Sequence, residues 1–331
     1  MKSSKNRIVY RFLCMLFVLS FLVGFAERHH IKADNENGQL FTYDGLMYII
    51  DEENKTASVA GSESETLANL TVPDTIYYGE AYIPVTGVEE YAFQGSSLKT
   101  LKLGANITYI GEGAFSFSEN IKKVSIPKKC ERIEDAAFFM CTGLKTVSIN
   151  KKGVLSAIGS GAFAGTAVTS IAIPNATVTL GDAAFAECNA LKSVTIGKKL
   201  KSFGIGAFAG CNALSKITIS DKNKYFLAED NIIYTKDRTE LVCGAAASGE
   251  VKISEGTIKV AERAFEANTR IASLELPDSL ETVGEGAFMN CTSLKELKLI
   301  GGLKELGENA FYGIEELKFV QLSQGEGQYE D

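Results

Sequence analysis

Gly111-Glu112-Gly113-Ala114-Phe115 decides the fold, because close copies of it return along the chain. Ala-Phe pairs end at Phe93, Phe115, Phe138, Phe163, Phe185, Phe208, Phe265, Phe288 and Phe311, with spacings of 22, 23, 25, 22, 23, 57, 23 and 23. Five residues before each Phe stands an apolar residue: Val88, Ile110, Ile133, Ile158, Leu180, Phe203, Val260, Val283 and Leu306. A period near 23 is the mark of a stacked solenoid, in which each repeat completes its core only against its neighbours.

A second apolar run begins five or six residues after each Phe, as in Leu98-Lys99-Thr100-Leu101-Lys102-Leu103 and Ile121-Lys122-Lys123-Val124-Ser125-Ile126. Its end alternates apolar and polar, which predicts a short strand buried on one face. Strands of one kind joined by crossovers must lie parallel. Pro73, Pro127, Pro174 and Pro277, four of the five prolines, follow such strands and stop them, because proline donates nothing to a ladder. Three residues after Phe sits a small polar or thiol side chain: Ser96, Ser118, Cys141, Thr166, Cys188, Cys211, Asn268 and Cys291, with Ile314 the exception. This position reads as a buried ladder bonded to the turning backbone. About five large apolar side chains per rung, each worth roughly 1.5–3 kcal/mol, do not offset chain entropy of about 1–2 kcal/mol per residue, so stability must come from stacking.

The pattern apolar-Gly-x-x-Ala-Phe-x-x-Cys-x-x-Leu-x-x-Val-x-Ile-Pro resembles the BspA-type leucine-rich repeats of bacterial surface proteins, over about residues 67–322. The resemblance implies a curved solenoid with a parallel sheet on one face and an adhesive role at the surface. It carries over no catalytic residue. The expected architecture is mainly β with short helical or 3-10 turns, about nine to eleven coils of about 23 residues, and two inserted β-hairpins.

In chain order, residues 1–33 read as a secretory signal: Lys2, Lys5, Arg7 and Arg11 precede an apolar stretch at 12–25, too short for a comfortable membrane span. Cleavage after Ala26 or Ala33 fits, and an uncleaved anchor is the alternative. Residues 34–92 form a capping hairpin and first coil, 93–220 repeats, 221–250 an inserted hairpin, 251–322 repeats, and 323–331 an acidic tail. Insertions in solenoids gather on one face and often make contacts; an elaborated coil without a partner is the other reading. The last strand, 319–322, offers an edge for weak end-to-end self-association, unless the acidic tail discourages it.

The formal charge is −7. Without residues 1–33, 28 Lys and Arg face 40 Asp and Glu, a balance of −12. This argues against nucleic acid or an anionic membrane as the main partner. Histidine occurs only at His29 and His30, so cleavage after Ala33 leaves no histidine for triads, general bases or metal sites. Cys141, Cys188, Cys211 and Cys291 share one repeat position and read as buried free thiols. Cys188 and Cys211 lie on adjacent coils, yet parallel side chains give poor disulfide geometry. The Gly-x-Gly pairs are repeat turns lacking the long helix a phosphate loop needs. Residues 51–55 resemble a calcium loop only loosely, since Lys55 occupies a ligand position. No cofactor or metal is expected.

The expected contact surface is the strand face with the inserted hairpin: Lys102, Lys123, Thr146, Ser170, Ser193, Thr195, Lys216, Glu275 and Lys298, with Tyr225 and Tyr234 as aromatic anchors. The face lacks aromatics, so a broad, weak or multivalent contact fits it better than one hot spot; a plain solvated sheet is the bland alternative. Taken together, the residues and the resemblance lead to an exported, non-enzymatic binding protein adhering to a host or neighbouring-cell protein, secreted or held at the cell surface. A carbohydrate or cell-wall module, a hydrolase using carboxylates alone, and a structural spacer are the rivals.

Overall fold

The computed structural model describes residues 39–299, 302–315, 317 and 319–322. The expected signal at 1–33 and the acidic tail at 323–331 lie outside the described residues. The chain divides into two units at Leu40, and only Gln39 and Leu40 of the first are described; the second begins at Phe41.

Two parallel ladders run through the repeats. After Val88, which ends the eight-residue strand Ala81–Val88, the residues five before each Phe sit in two-residue strands: Tyr109–Ile110, Arg132–Ile133, Ala157–Ile158, Thr179–Leu180 and Ser202–Phe203 pair in sequence, putting Ile110, Ile133, Ile158, Leu180 and Phe203 in register. The alternating runs form the second ladder. Lys123–Ile126 pairs with Thr146–Ile149, and Ser170–Ile173, Ser193–Ile196 and Lys216–Ile219 pair in turn, all parallel. Past the insertion, Gly249–Lys252, Ile271–Leu276, Glu296–Leu299 and Phe319–Leu322 continue it, with Phe319–Leu322 the last strand of its sheet. The second ladder breaks after Thr146–Ile149, where the Phe spacing stretches to 25 around Lys151, Lys152 and Gly153.

The third wall carries Phe, and here the structure corrects one expectation: the described residues contain no α-helix and no 3-10 helix, only single hydrogen-bonded turns such as Ser116 N–H to Gly113 O at 2.9 Å. In every coil the residues two before and two after Phe have positive φ, as at Gly113 (57°) and Phe117 (59°), or Ala183 (51°) and Glu187 (56°). A left-handed residue at both positions prevents any run of helical dihedrals. Instead, alternate N–H groups point along the solenoid. Gly113 donates to the Asp135 carbonyl at 2.9 Å, Phe115 to Ala137 at 2.8 Å and Phe117 to Phe139 at 2.7 Å. The same three-bond set joins later coils, such as Gly161 to Asp182, Phe163 to Ala184 and Gly165 to Ala186, each at 2.8 Å. The two glycines of Gly-x-Gly do different work. The second adopts the left-handed conformation, as at Gly113; the first permits close approach, since a Cβ on Gly111 would lie 2.7 Å from the Glu90 backbone nitrogen.

Between the walls the aromatic rings stack. Phe93, Phe115, Phe138, Phe163, Phe185 and Phe208 follow one another at centroid distances of 5.6, 5.2, 5.2, 5.2 and 5.6 Å, nearly parallel. Phe265, Phe288 and Phe311 repeat this at 5.0 and 5.2 Å. Beside them runs the expected polar ladder, in which five side chains bond to the previous coil's Phe carbonyl, while Thr166 meets Cys188 Sγ and Asn268 donates to the Gly244 and Ala247 carbonyls. Ser118 Oγ donates to Phe93 O at 2.8 Å, Cys141 Sγ to Phe115 O at 3.0 Å, Cys188 to Phe163 O at 3.2 Å, Cys211 to Phe185 O at 3.0 Å and Cys291 to Phe265 O at 3.2 Å. Cys130, Cys141, Cys188, Cys211, Cys243 and Cys291 are all free and buried. Burial pushes the thiols of Cys141 and Cys291 up to about 12.

Each ladder of short strands starts from a three-stranded antiparallel meander. Gln39–Tyr43, Leu46–Asp51 and Thr56–Ser62 lead to Val59 beside Val88; Phe226–Glu229, Ile232–Thr235 and Glu240–Cys243 lead to Leu241 beside Val260. Both turn through Asp at φ 50°, at Asp44-Gly45 and Asp230-Asn231, and both bury a tyrosine, Tyr48 and Tyr234. Each expected hairpin is therefore one strand larger than the sequence suggested. The second meander grips the coil before it: Asn223 Nδ2 donates to the Gly197 and Leu200 carbonyls, and the Ile217 N–H donates to Asn231 Oδ1. The coil that follows has a foreshortened turn at 244–248, so the Phe208 and Phe265 coils meet across it. There Gly210 N donates to Glu266 O at 3.2 Å and Thr269 donates to Asn212 Oδ1.

Phe185→Ala removes a fully buried ring from the middle of the stack, and chemical denaturation should show a loss of about 3–5 kcal/mol. Cys141→Ser keeps the donor that Ser118 supplies one coil earlier, whereas Cys141→Ala removes one of the two hydrogen bonds to the Phe115 carbonyl, which the Ser118 N–H still reaches at 3.1 Å; the alanine variant should be the less stable by about 0.5–1.5 kcal/mol. The folded thiols hold their protons more tightly than the unfolded chain does. Their contribution is complete below pH about 9 and is lost as pH rises toward about 12. Denaturation midpoints above pH 9 should therefore fall less steeply in a C141S/C291S variant than in the parent.

Candidate binding surface

The second ladder turns alternate side chains outward, since strand residues alternate between faces. Lys102, Lys123, Thr146, Ser170, Thr195, Lys216 and Lys298 are exposed, and Ser193 and Glu275 half-exposed, on the outward positions of four successive short sheets. Register aligns Thr146 with Lys123, Ser170 with Ser193 and Lys216, and Glu275 with Lys298. The middle coils carry small hydroxyls, with Thr218 Oγ1 3.3 Å from Thr195 Oγ1. Beyond the second meander the face becomes an ion-pair row, where the Glu275 carboxylate lies 2.8 Å from Lys252 Nζ and 3.4 Å from Lys298 Nζ. Hydrogen bonds from Lys252 and Lys298 hold Glu275 below the usual carboxylate range.

The two tyrosine anchors part company. Tyr225 is 42 % exposed, with Lys201 Nζ 6.0 Å from its ring centroid. Tyr234 is 1 % exposed, so its role as an anchor is corrected to a core role. It lies on the middle strand of the meander, between Phe226–Glu229 and Glu240–Cys243, and its ring joins the second hydrophobic cluster. Its hydroxyl accepts from the Ser254 N–H at 3.4 Å, and burial raises it above the usual tyrosine range. In sequence the two tyrosines look alike; Tyr225 precedes the strand Phe226–Glu229, whereas Tyr234 lies on a middle strand buried at Ile232, Ile233 and Tyr234 alike.

A shallow cleft of about 330 Å³ opens beside the short-strand ladder, lined by Glu89, Glu90, Tyr109, Gly111, Glu112, Arg132, Glu134 and Asp135. Most of its polar groups are already committed to one another or to the backbone. Tyr109 donates to Glu89 at 2.6 Å, Tyr91 to Glu112, Arg132 to Glu134 at 2.7 Å, and the Ser160 N–H to Asp135 at 2.6 Å. Among the described residues no group of three or more His, Cys, Asp or Glu is placed to hold a metal ion. No helix among them is long and apolar enough to cross a membrane.

What the whole-chain charge conceals is where the charge sits. Residues 39–92 hold ten Asp and Glu against the single Lys55, a balance of −9. Residues 93–322 hold 25 acids against 27 Lys and Arg, a balance of +2. The same N-terminal segment carries Tyr77 and Tyr82, exposed at 45 % and 71 %, which face one another across the hairpin of Thr75–Tyr78 and Ala81–Val88 with ring centroids 5.2 Å apart. Net charge counted segment by segment was the signal available for it in the sequence.

These features define a leucine-rich repeat solenoid with an acidic, aromatic-bearing cap. Residues 62–174, 156–229 and 245–328 match the BspA type leucine rich repeat region, in six copies, and the chain belongs to this family. The fold is shared with a leucine rich cell surface protein from Faecalibacterium prausnitzii A2-165, at 22 % identity and a TM-score of 0.63, covering 86 % of this chain and 89 % of that one. It is also shared with the pneumococcal vaccine antigen PcpA, at 20 % identity and a TM-score of 0.64, covering 87 % and 82 %. A leucine-rich repeat protein from Eubacterium ventriosum is similar at 21 % identity and a TM-score of 0.56, covering 85 % and 77 %. No curated protein sequence matches the chain significantly.

Substitution separates anchor from core. Tyr234→Ala should cost about 3–5 kcal/mol in denaturation, in the manner of a buried aromatic. Tyr225→Ala should stay within about 0.5 kcal/mol of the parent.

Proposed function

We propose that this protein works outside the cell as a non-enzymatic binding protein, adhering to proteins of a host or a neighbouring cell. The observation that carries the reading is the strand face. Coil after coil presents a row of exposed small, hydroxyl and charged side chains at constant spacing, on a core whose Phe stack keeps the rows rigid. A regular, pre-ordered surface of this kind favours many modest contacts, which add through multivalency rather than through one deep pocket. Family membership supports the reading, as do the surface and antigen descriptions of proteins with the same fold. The basic and apolar start of the chain supports export.

Lys102, Lys123, Thr146, Ser170, Ser193, Thr195, Lys216, Glu275 and Lys298 are the contact residues of this reading, with Tyr225 at the edge of the second meander. The chain displayed on a non-adherent bacterium should confer attachment to at least one member of a panel of immobilised extracellular-matrix and cell-surface proteins. Replacing Thr146, Ser170, Ser193 and Thr195 by Glu, all on solvent-facing positions, should reduce that attachment severalfold without lowering the thermal midpoint. Attachment to no member of the panel contradicts the reading.

A further inference from the structure

The repeat array explains the strand face but gives no use to the most polarised part of the molecule. The cap, residues 39–92, holds the −9 balance, and its only cation, Lys55, is already paired with Glu52 at 3.0 Å. Asp44, Glu52, Glu53, Glu63, Glu65, Asp74, Glu80 and Glu90 are exposed. Out of this acidic segment rises the hairpin Thr75–Tyr78 and Ala81–Val88. Its inner face buries Ile76 and Ile83 in the core, at 0 % and 5 % exposure. Its outer face is an uncovered two-stranded sheet on which Tyr77 and Tyr82 pair directly and touch edge to face. No other pair of exposed aromatics in mutual contact occurs among the described residues.

We infer that this outer face, centred on Tyr77 and Tyr82, docks a lysine- and arginine-rich segment of a partner protein. The inference rests on the protein-binding reading above and names the chemistry of one partner for it. Charge complementarity selects the occupant. The local field attracts cations and repels acidic chains, whereas the array beyond residue 92 is nearly neutral and gives no such preference. Tyrosine rings supply what a carboxylate cluster alone cannot: a face over which an ammonium or guanidinium sits, and apolar area for the alkyl stems of Lys and Arg. Rigid exposed tyrosines are the side-chain type that anchors protein contacts at low entropic cost. The hairpin is held from behind: Tyr78, the neighbour of Tyr77, donates to Glu52 at 2.6 Å and packs edge to face on Phe41 at 5.1 Å. Tyr77 and Tyr82 are thereby presented on a fixed support.

The test is fluorescence anisotropy of the full chain with a labelled twelve-residue Lys/Arg/Gly peptide and a Glu/Gly peptide of equal length. The cationic peptide should bind in low salt, weaken at least tenfold between 50 and 300 mM NaCl, and outcompete the acidic peptide. Y77A/Y82A should weaken it at least tenfold, E63Q/E65Q/E80Q should weaken it and flatten the salt dependence, and Y225A should change neither. Tyr82→Ala alone, at the most exposed ring, serves as the variant whose fold is safe, and it should lose at least threefold with an unchanged thermal midpoint. No binding of the cationic peptide overturns the inference, as does binding that Y77A/Y82A leaves intact. A chain that attaches in the display assay yet ignores the cationic peptide keeps the adhesion reading and loses this one.

Discussion

Every coil must hand its unpaired backbone and its exposed ring to the next one. On the aromatic wall three N–H groups per coil, such as those of Gly113, Phe115 and Phe117, have acceptors only in the following coil. The ring between them has a partner only above and below. A lone coil would leave these groups to water and its Phe half bare, so no coil is stable alone. The rest follows from this constraint. The left-handed residues flanking Phe aim the N–H groups along the axis. The close-approach glycine lets backbones touch. The thiol and hydroxyl ladder satisfies the Phe carbonyls that point inward.

The same constraint explains how the chain manages its two starts. An array needs a first rung, and both arrays obtain it from an antiparallel meander whose last strand, Thr56–Ser62 or Glu240–Cys243, lies parallel to the first repeat strand. Two hydrophobic clusters result, one closing at Ala245 and Ala246 and the other opening at Ile232. The short turn at 244–248 lets the coils on either side bond directly through Gly210 and Glu266, so one backbone bond crosses the junction while the Phe stack ends at Phe208 and begins again at Phe265.

Much of this was legible in the residues. The Phe period and the apolar position five before it located both ladders, and the position three after Phe announced the carbonyl-bonding ladder. Helical turns were the natural guess for Gly-x-x-Ala-Phe, but the guess failed because Ala183, Glu187, Phe117 and Met140 adopt positive φ without being glycine. Only the coil-to-coil hydrogen bonds demand that conformation, and they are invisible in a local window. The binding surface was half legible. The strand-face residues fall outward by simple alternation, whereas Tyr225 and Tyr234 were indistinguishable until the meander's pairing buried one of them. The acidic cap was hidden because the basic start of the chain and the balanced array mask it in the total charge.

Coil-to-coil dependence is most directly measured by native-state hydrogen exchange at the amides of Phe115, Phe138, Phe163 and Phe185. If each coil is held only by its neighbours, these four amides should share one opening free energy, close to that of unfolding the array, and Phe163→Ala should lower all four together. Clearly different opening free energies for the four, or a Phe163→Ala effect confined to its own coil, would contradict the account.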